Sequence, residues 1–252
     1  MEEPTADNGL WIRRFGQART GAPRLVCFAH AGGSASFFRP VAQALTPSVD
    51  VMAVQYPGRQ DRRMERPADS IRELSERCYE ALLPWTDLPL VFFGHSMGAV
   101  VGFEVATRLE RERGIRLRRF FASGRRAPSR YRDEAVHRLD DDGIVSELKL
   151  LSGTDQSLLG DDEILRMILP ALRCDYRAIE TYRHTEGAHL TCPMTVLVGD
   201  EDPKVSIDEA ADWKAHTTGE CELTVMSGGH FFLAHHQAEI NRLLLAAAAA
   251  AA

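Results

Sequence analysis

The feature that most constrains the fold is a recurrence of short, mainly apolar runs at residues 25–29, 49–55, 90–93, 119–122, 195–198 and 223–226. None of them alternates apolar with polar, as a strand with one wet face must, so they read as strands covered on both faces. Between several of them lie stretches with helical periodicity, residues 70–83 and 99–113, the second stopped by Gly114. A strand needs a long crossover to reach a parallel neighbour, so this alternation specifies an α/β fold: a mostly parallel central sheet flanked by helices. The rhythm breaks across residues 128–187, where Ile144, Leu148 and Leu151, then Ile164, Met167, Ile168 and Leu172, recur at helical spacing and no strand run intervenes. The expected organisation is therefore one core, residues 1–127 and 188–245, with a helical insertion at 128–187. The alanine run 246–252 is set outside the fold as a tail.

With 252 residues, 44% of them hydrophobic, the chain can bury a core without disulfides or a structural metal. Its 30 basic and 36 acidic side chains leave a formal charge of −6, which opposes a general affinity for nucleic acid or for an anionic membrane. Any basic patch has to be local. Residues 105–138 hold 11 arginines and 4 acids, net +7, and residues 139–165 hold 8 acids and Lys149, net −7. Five cysteines, odd in number and without a CxxC pair, indicate core thiols rather than a disulfide framework or a zinc site. No apolar stretch approaches the ~18–20 residues of a membrane helix, and the acidic N-terminal residues do not resemble a secretory signal. The expectation is a cytoplasmic monomer that binds neither metal nor cofactor of its own.

Gly94-His95-Ser96-Met97-Gly98 fits G-x-S-x-G, a weak pattern by itself. Its context strengthens it, because the apolar run 90–93 precedes it and a helix-like segment follows. That is the strand, sharp turn and helix in which a serine Oγ is pushed above the sheet. A serine hydroxyl is a poor nucleophile at neutral pH and needs a base and a group to orient that base. His230, in Ser227-Gly228-Gly229-His230, follows one strand run and is the expected base. The orienting acid is expected in Asp200-Glu201-Asp202, just past another strand run, with Asp202 favoured and Asp200 and Glu201 as competitors. The order Ser96, Asp202, His230, with separations of 106 and 28 residues, is that of an α/β-hydrolase. Oxyanion charge requires two backbone N–H donors, expected from Met97 after the nucleophile and from Ala31 in Phe28-Ala29-His30-Ala31-Gly32-Gly33. His30 and His95 read as packing or positioning residues beside the site. His137, His184, His189, His216, His235 and His236 form no metal-ligand pattern and read as solvated side chains.

Taken together, F-A-H-A-G-G at 28–33, Y-P-G-R at 56–59, G-H-S-M-G at 94–98, LPALRCDYRAIETY at 169–182, GDEDPKV at 199–205 and G-G-H-F-F at 228–232 resemble the type II thioesterases of polyketide and nonribosomal peptide synthesis. The resemblance spans about residues 10–243. It implies an α/β-hydrolase core under a mobile helical lid, here the insertion 128–187. It implies an enzyme that removes aberrant or short acyl groups from the phosphopantetheine arm of acyl or peptidyl carrier domains. The family's catalytic residues carry over to Ser96, Asp202 and His230, and its oxyanion donors to Ala31 and Met97.

Two further expectations concern recognition. Apolar residues of the insertion, Leu148, Leu151, Met167 and Ile168, can line a channel for the arm. Arg125, Arg126, Arg130 and Arg132 can offer a docking face to an acidic carrier domain, unless neighbouring acids pair with them. Tyr56 and Arg59 have no role that residue chemistry supplies. The competing activities are those of a general carboxylesterase on the same fold and of an acyltransferase.

Overall fold

The structure is a computed structural model that describes residues 8–151 and 162–250; the part of the insertion at 152–161 and the outermost residues of both ends lie outside it. After a short helix α1 (Asn8–Trp11) and strand β1 (Ile12–Arg14) come β2 (Arg24–Phe28), α2 (Arg39–Leu45), β3 (Asp50–Val54), α3 (Ile71–Leu82), β4 (Leu90–His95), α4 (Met97–Arg113) and β5 (Arg119–Ser123). Two helices of the insertion follow, α5 (Asp141–Leu151) and α6 (Asp162–Thr181), then β6 (Met194–Gly199), α7 (Ile207–Ala211), β7 (Cys221–Met226) and α8 (Gln237–Ala249). The sheet order is β1-β3-β2-β4-β5-β6-β7, parallel throughout except for the antiparallel β1.

The six apolar runs are six of the seven strands, with ends shifted by one or two residues. Every residue of β2, β3, β4 and β6 is buried, as a strand covered on both faces requires. β7 departs from that expectation. It is the outer strand, and its Leu223 and Val225 are exposed, so its apolar run marks strand propensity and not double cover. The chain winds from β2 outward to β3, then returns to lay β4 on the other side of β2. At that reversal the carboxyl ends of β2 and β4 open side by side, the place where open α/β sheets bind ligands.

α4 ends where the sequence indicates, at Gly114, which takes the left-handed conformation (φ 66°) and donates its N–H to the Glu110 carbonyl. The insertion builds a small core of its own from Val136, Ile144, Leu169, Leu172 and Tyr176, beside the main one. The alanine run needs correction: Ala246 to Ala249 form the last turn of α8, Ala247 and Ala248 are buried, and the Arg118 guanidinium donates to the Ala248 carbonyl. Alanine is the strongest helix former, so a run that looks like a tail prolongs the helix against the sheet. All five cysteines are free, with Cys27, Cys78 and Cys192 buried. Among the described residues no helix is long and apolar enough to cross a membrane.

Candidate active site

Ser96 sits between the end of β4 and the first residue of α4, with φ 53° and ψ −120°. A side-chain-bearing residue in that conformation stores of the order of 1–3 kcal/mol, which the surrounding packing must hold in place. The flanking glycines allow it. A Cβ on Gly98 would lie 2.1 Å from the Phe28 carbonyl oxygen, and one on Gly94 would lie 2.3 Å from the Gly98 carbonyl oxygen. Strand β2, the turn and α4 therefore meet backbone to backbone, and Oγ stands at the opening between β2 and β4.

His230 arrives from the loop after β7. That loop is pinned by the Asp200 carboxylate, which accepts the Gly228 N–H at 2.8 Å, and by the Glu201 N–H, which donates to the Gly228 carbonyl at 3.0 Å. The Asp202 carboxylate, wholly buried, lies 2.8 and 3.0 Å from His230 Nδ1 and accepts the Lys204 N–H at 2.8 Å. His230 Nε2 is 3.0 Å from Ser96 Oγ. With Nδ1–H donating to Asp202, Nε2 is left to accept the serine proton. Of the three acids in the loop, geometry gives the contact to Asp202, while Asp200 shapes the histidine loop. The N–H groups of Ala31 and Met97 have no backbone acceptor among the described residues, and both residues line the same cavity as Ser96.

That cavity, about 280 Å³, lies between the sheet and the insertion, with Leu148, Leu151, Ile168 and Leu172 along its apolar wall. A model of the thioesterase domain family matches residues 23–247. The chain belongs to the thioesterase family. It is 53% identical to thioesterase PikA5 of Streptomyces venezuelae over 90% of this chain and 81% of that protein. Among solved structures it is similar to the type II thioesterase BorB from the borrelidin biosynthetic cluster, with a TM-score of 0.90 and 47% identity over 95% of this chain and 98% of that one. RedJ, a thioesterase of the prodiginine pathway in Streptomyces coelicolor, gives 0.86 and 36% over 92% and 93%. The protein is thus a hydrolase acting on thioesters, on an α/β-hydrolase-like fold.

Three of the four expected channel residues of this thioesterase reach the cavity. Met167 does not, being 57% exposed on the outer side of α6. The four arginines expected to form a docking face divide between buried and exposed positions. Arg126 is buried against Glu134, Arg130 pairs with Asp212, Arg132 pairs with Glu209, and Arg125 turns inward to line the cavity. Neighbouring acids from α7 and the following turn thus take up charge that the sequence leaves looking free. Two histidines expected in solvent are held instead: His216 is buried with Nε2 2.8 Å from Ser129 Oγ, and His137 Nδ1 lies 2.5 Å from Glu180.

His30 and His95 pack beside His230, their ring centroids 5.9 Å apart and that of His95 5.2 Å from His230. His95 Nδ1 is 3.0 Å from Ser123 Oγ. Burial holds His95 well below the usual imidazole range, with His230 and His30 adding to the effect. Burial, then His230 and Arg59, pushes His30 down to about 3. Both rings are neutral at neutral pH, so neither puts a cation beside His230.

A histidine kept neutral by the fold makes stability depend on acid. The unfolded chain takes up the His30 proton near 6.5, whereas the folded chain refuses it until about 3. The unfolded state therefore binds more protons between those values, and stability falls as pH drops below 6.5, levelling off near 3. At pH 5 the His30 contribution to that loss is ~2 kcal/mol. Urea unfolding at about pH 8 and pH 5 should show a loss smaller by roughly that amount in His30→Phe than in the native protein. An equal loss in both would mean that His30 already carries a proton in the folded state.

Proposed function

We propose that this thioesterase is an editing enzyme that hydrolyses short or aberrant acyl groups from the phosphopantetheine arm of acyl and peptidyl carrier domains. Ser96 is the nucleophile, His230 the general base and acid, Asp202 the group that orients it, and the Ala31 and Met97 N–H groups the oxyanion donors. His230 Nε2 takes the Ser96 proton as Oγ bonds to the thioester carbonyl carbon, and the two N–H groups receive the charge that develops on the carbonyl oxygen. Collapse breaks the C–S bond, and His230 returns the proton to the departing thiolate. Water then attacks the acyl-enzyme with His230 again as base, releasing the carboxylic acid and restoring Ser96. The arm comes with the substrate, so the enzyme needs no cofactor of its own.

The observation that carries this reading is the unbroken line Asp202–His230–Ser96 at a pocket under the insertion, which acts as the lid. A pocket of about 280 Å³ lies at the small end of ligand sites. The likeness to the type II thioesterase BorB supports the carrier-bound substrate. Five free thiols, three of them buried, fit a reducing compartment such as the cytoplasm. Ser96, His230 and Asp202 are joined within one chain, so the triad itself needs no partner subunit.

Intact mass measurement of an acetyl-phosphopantetheinyl carrier protein tests the proposal. The acetyl mass should disappear with the native protein and persist with Ser96→Ala, with free acid as the product. Retention of the acetyl group with both proteins, while a nitrophenyl ester is still cleaved, would assign a general esterase. Transfer of the acyl group to a second thiol would assign an acyltransferase.

A further inference from the structure

We infer that Asp175, on α6 of the insertion, is a positioning residue: with Arg59 it fixes the Gly32 peptide and so aims the neighbouring Ala31 N–H at the oxyanion. This rests on the proposed role of Ala31. The Gly32 N–H donates to Asp175 Oδ2 at 2.7 Å, and the Arg59 guanidinium pairs with the same oxygen. Both side chains are buried, Asp175 at 2% exposure and Arg59 at 8%.

The rest of the Y-P-G-R segment is organised around that contact. Arg59 Nη1 donates to the Pro57 carbonyl at 2.6 Å, and its guanidinium lies 5.2 Å from the centre of the Tyr56 ring. Tyr56 Oη donates to the Ala29 carbonyl at 3.3 Å, and Gln55 Oε1 accepts the Ala35 N–H at 2.8 Å. The oxyanion loop is thus held at Ala29, at Gly32 and at Ala35 by groups from outside it, and Ala31 lies between the first two. α6 also meets Gly32 sterically. Gly32 has φ 74°, and a Cβ there would come within 2.9 Å of Leu172 Cδ1, one helical turn before Asp175 on the same face. Leu172 and Asp175 seat the helix on the loop together.

A buried ion pair is weak evidence for stability, because hydrophobic replacements of similar volume are often as stable. What an apolar pair cannot do is accept the Gly32 N–H. The position of a catalytic donor, in contrast, is worth much: removing one oxyanion N–H costs ~10²–10³ in kcat, and small misplacements cost up to about 10². Docking of α6 and completion of the oxyanion hole are therefore one event. A displaced helix leaves Ser96 and His230 in place with a poorly aimed Ala31.

Two charge-balanced double variants isolate the acceptor. Arg59→Met with Asp175→Asn keeps a carbonyl oxygen for Gly32, whereas Arg59→Met with Asp175→Leu keeps the branched shape and removes it. Both are checked for folding by circular dichroism and assayed on acetyl-pantetheine, with Ser96→Ala alongside. The expected result is a kcat about 10- to 100-fold lower in the leucine variant than in the asparagine variant, with KM changed less than about threefold. If the leucine variant does not fold, Asp175→Met on the same background makes the same comparison, since the unbranched thioether adapts to gaps. Equal kcat in the two doubles, with Ser96→Ala inactive, overturns this inference and leaves the proposed function standing. An active Ser96→Ala overturns the proposed function itself.

Discussion

Replacing Ser96 with alanine is expected to lower kcat for thioester hydrolysis by roughly 10⁵–10⁶, leaving only the rate that binding and oxyanion stabilisation give to attack by water. The geometry gives the three residues different shares. His230→Ala should cost about as much as Ser96→Ala, and the double variant no more than either, because the serine and its base act as one unit. Asp202→Asn should cost ~10⁴ by a different route. Asn can donate to His230 Nδ1, which leaves the proton on Nε2 facing Ser96 Oγ at 3.0 Å, the wrong tautomer for a base. Asp200→Asn is the control: its amide oxygen can still accept the Gly228 N–H, so hydrolysis should change little. Rates on acetyl-pantetheine, with Ser96 phosphonylation as a second readout, decide the matter. An Asp202→Asn variant within tenfold of native would return the orienting role to Asp200 or Glu201.

How far a sequence reading reaches depends on whether the signal is local. The strand runs were legible because a doubly covered strand has to be apolar along its whole length, and residues 90–93 with G-H-S-M-G mark both the strand and the turn that follows it. β1 was not legible. It has three residues, only Ile12 buried, and owes its place to antiparallel pairing with β3. Ser96, Asp202 and His230 could be found because each follows a strand and α/β sheets put their chemistry there. Asp175 and Arg59 could not be joined from spacing, since 116 residues separate them and a carboxylate amid R-C-D-Y-R looks like ordinary helix-surface charge. The same limit governs the arginines at 125–132. Asp212 and Glu209, the partners of Arg130 and Arg132, lie some eighty residues on, so those two arginines find their acids only after folding. Tyr56 and Arg59 of Y-P-G-R, which have no role that residue chemistry supplies, were the one available hint of such a long-range contact.

Gly98→Ala should be among the most damaging single-methyl additions in the chain. A Cβ there would sit 2.1 Å from the Phe28 carbonyl oxygen and 2.7 Å from that of Ala29, distances that real Cβ atoms do not reach. Both obstacles are backbone, so no rotamer change relieves them. Either α4 moves away from β2, opening the core around Phe28 and Phe103, or the Ser96 turn relaxes out of its positive φ. The first route exceeds the ~1–3 kcal/mol usual for an overpacked core, and a loss above ~4 kcal/mol is expected. The second withdraws Oγ from His230. Gly114→Ala provides the contrast, since nothing lies within 4 Å of its Cβ and the residue is strained only by its φ of 66°. A loss of about 1 kcal/mol is expected there, with hydrolysis intact. Urea unfolding of the two variants, read with their acetyl-pantetheine rates, checks both halves. A Gly98→Ala protein as stable and as active as Gly114→Ala would mean that the elbow does not need the close approach of β2 and α4. The glycine would then reflect the turn's backbone conformation rather than its packing.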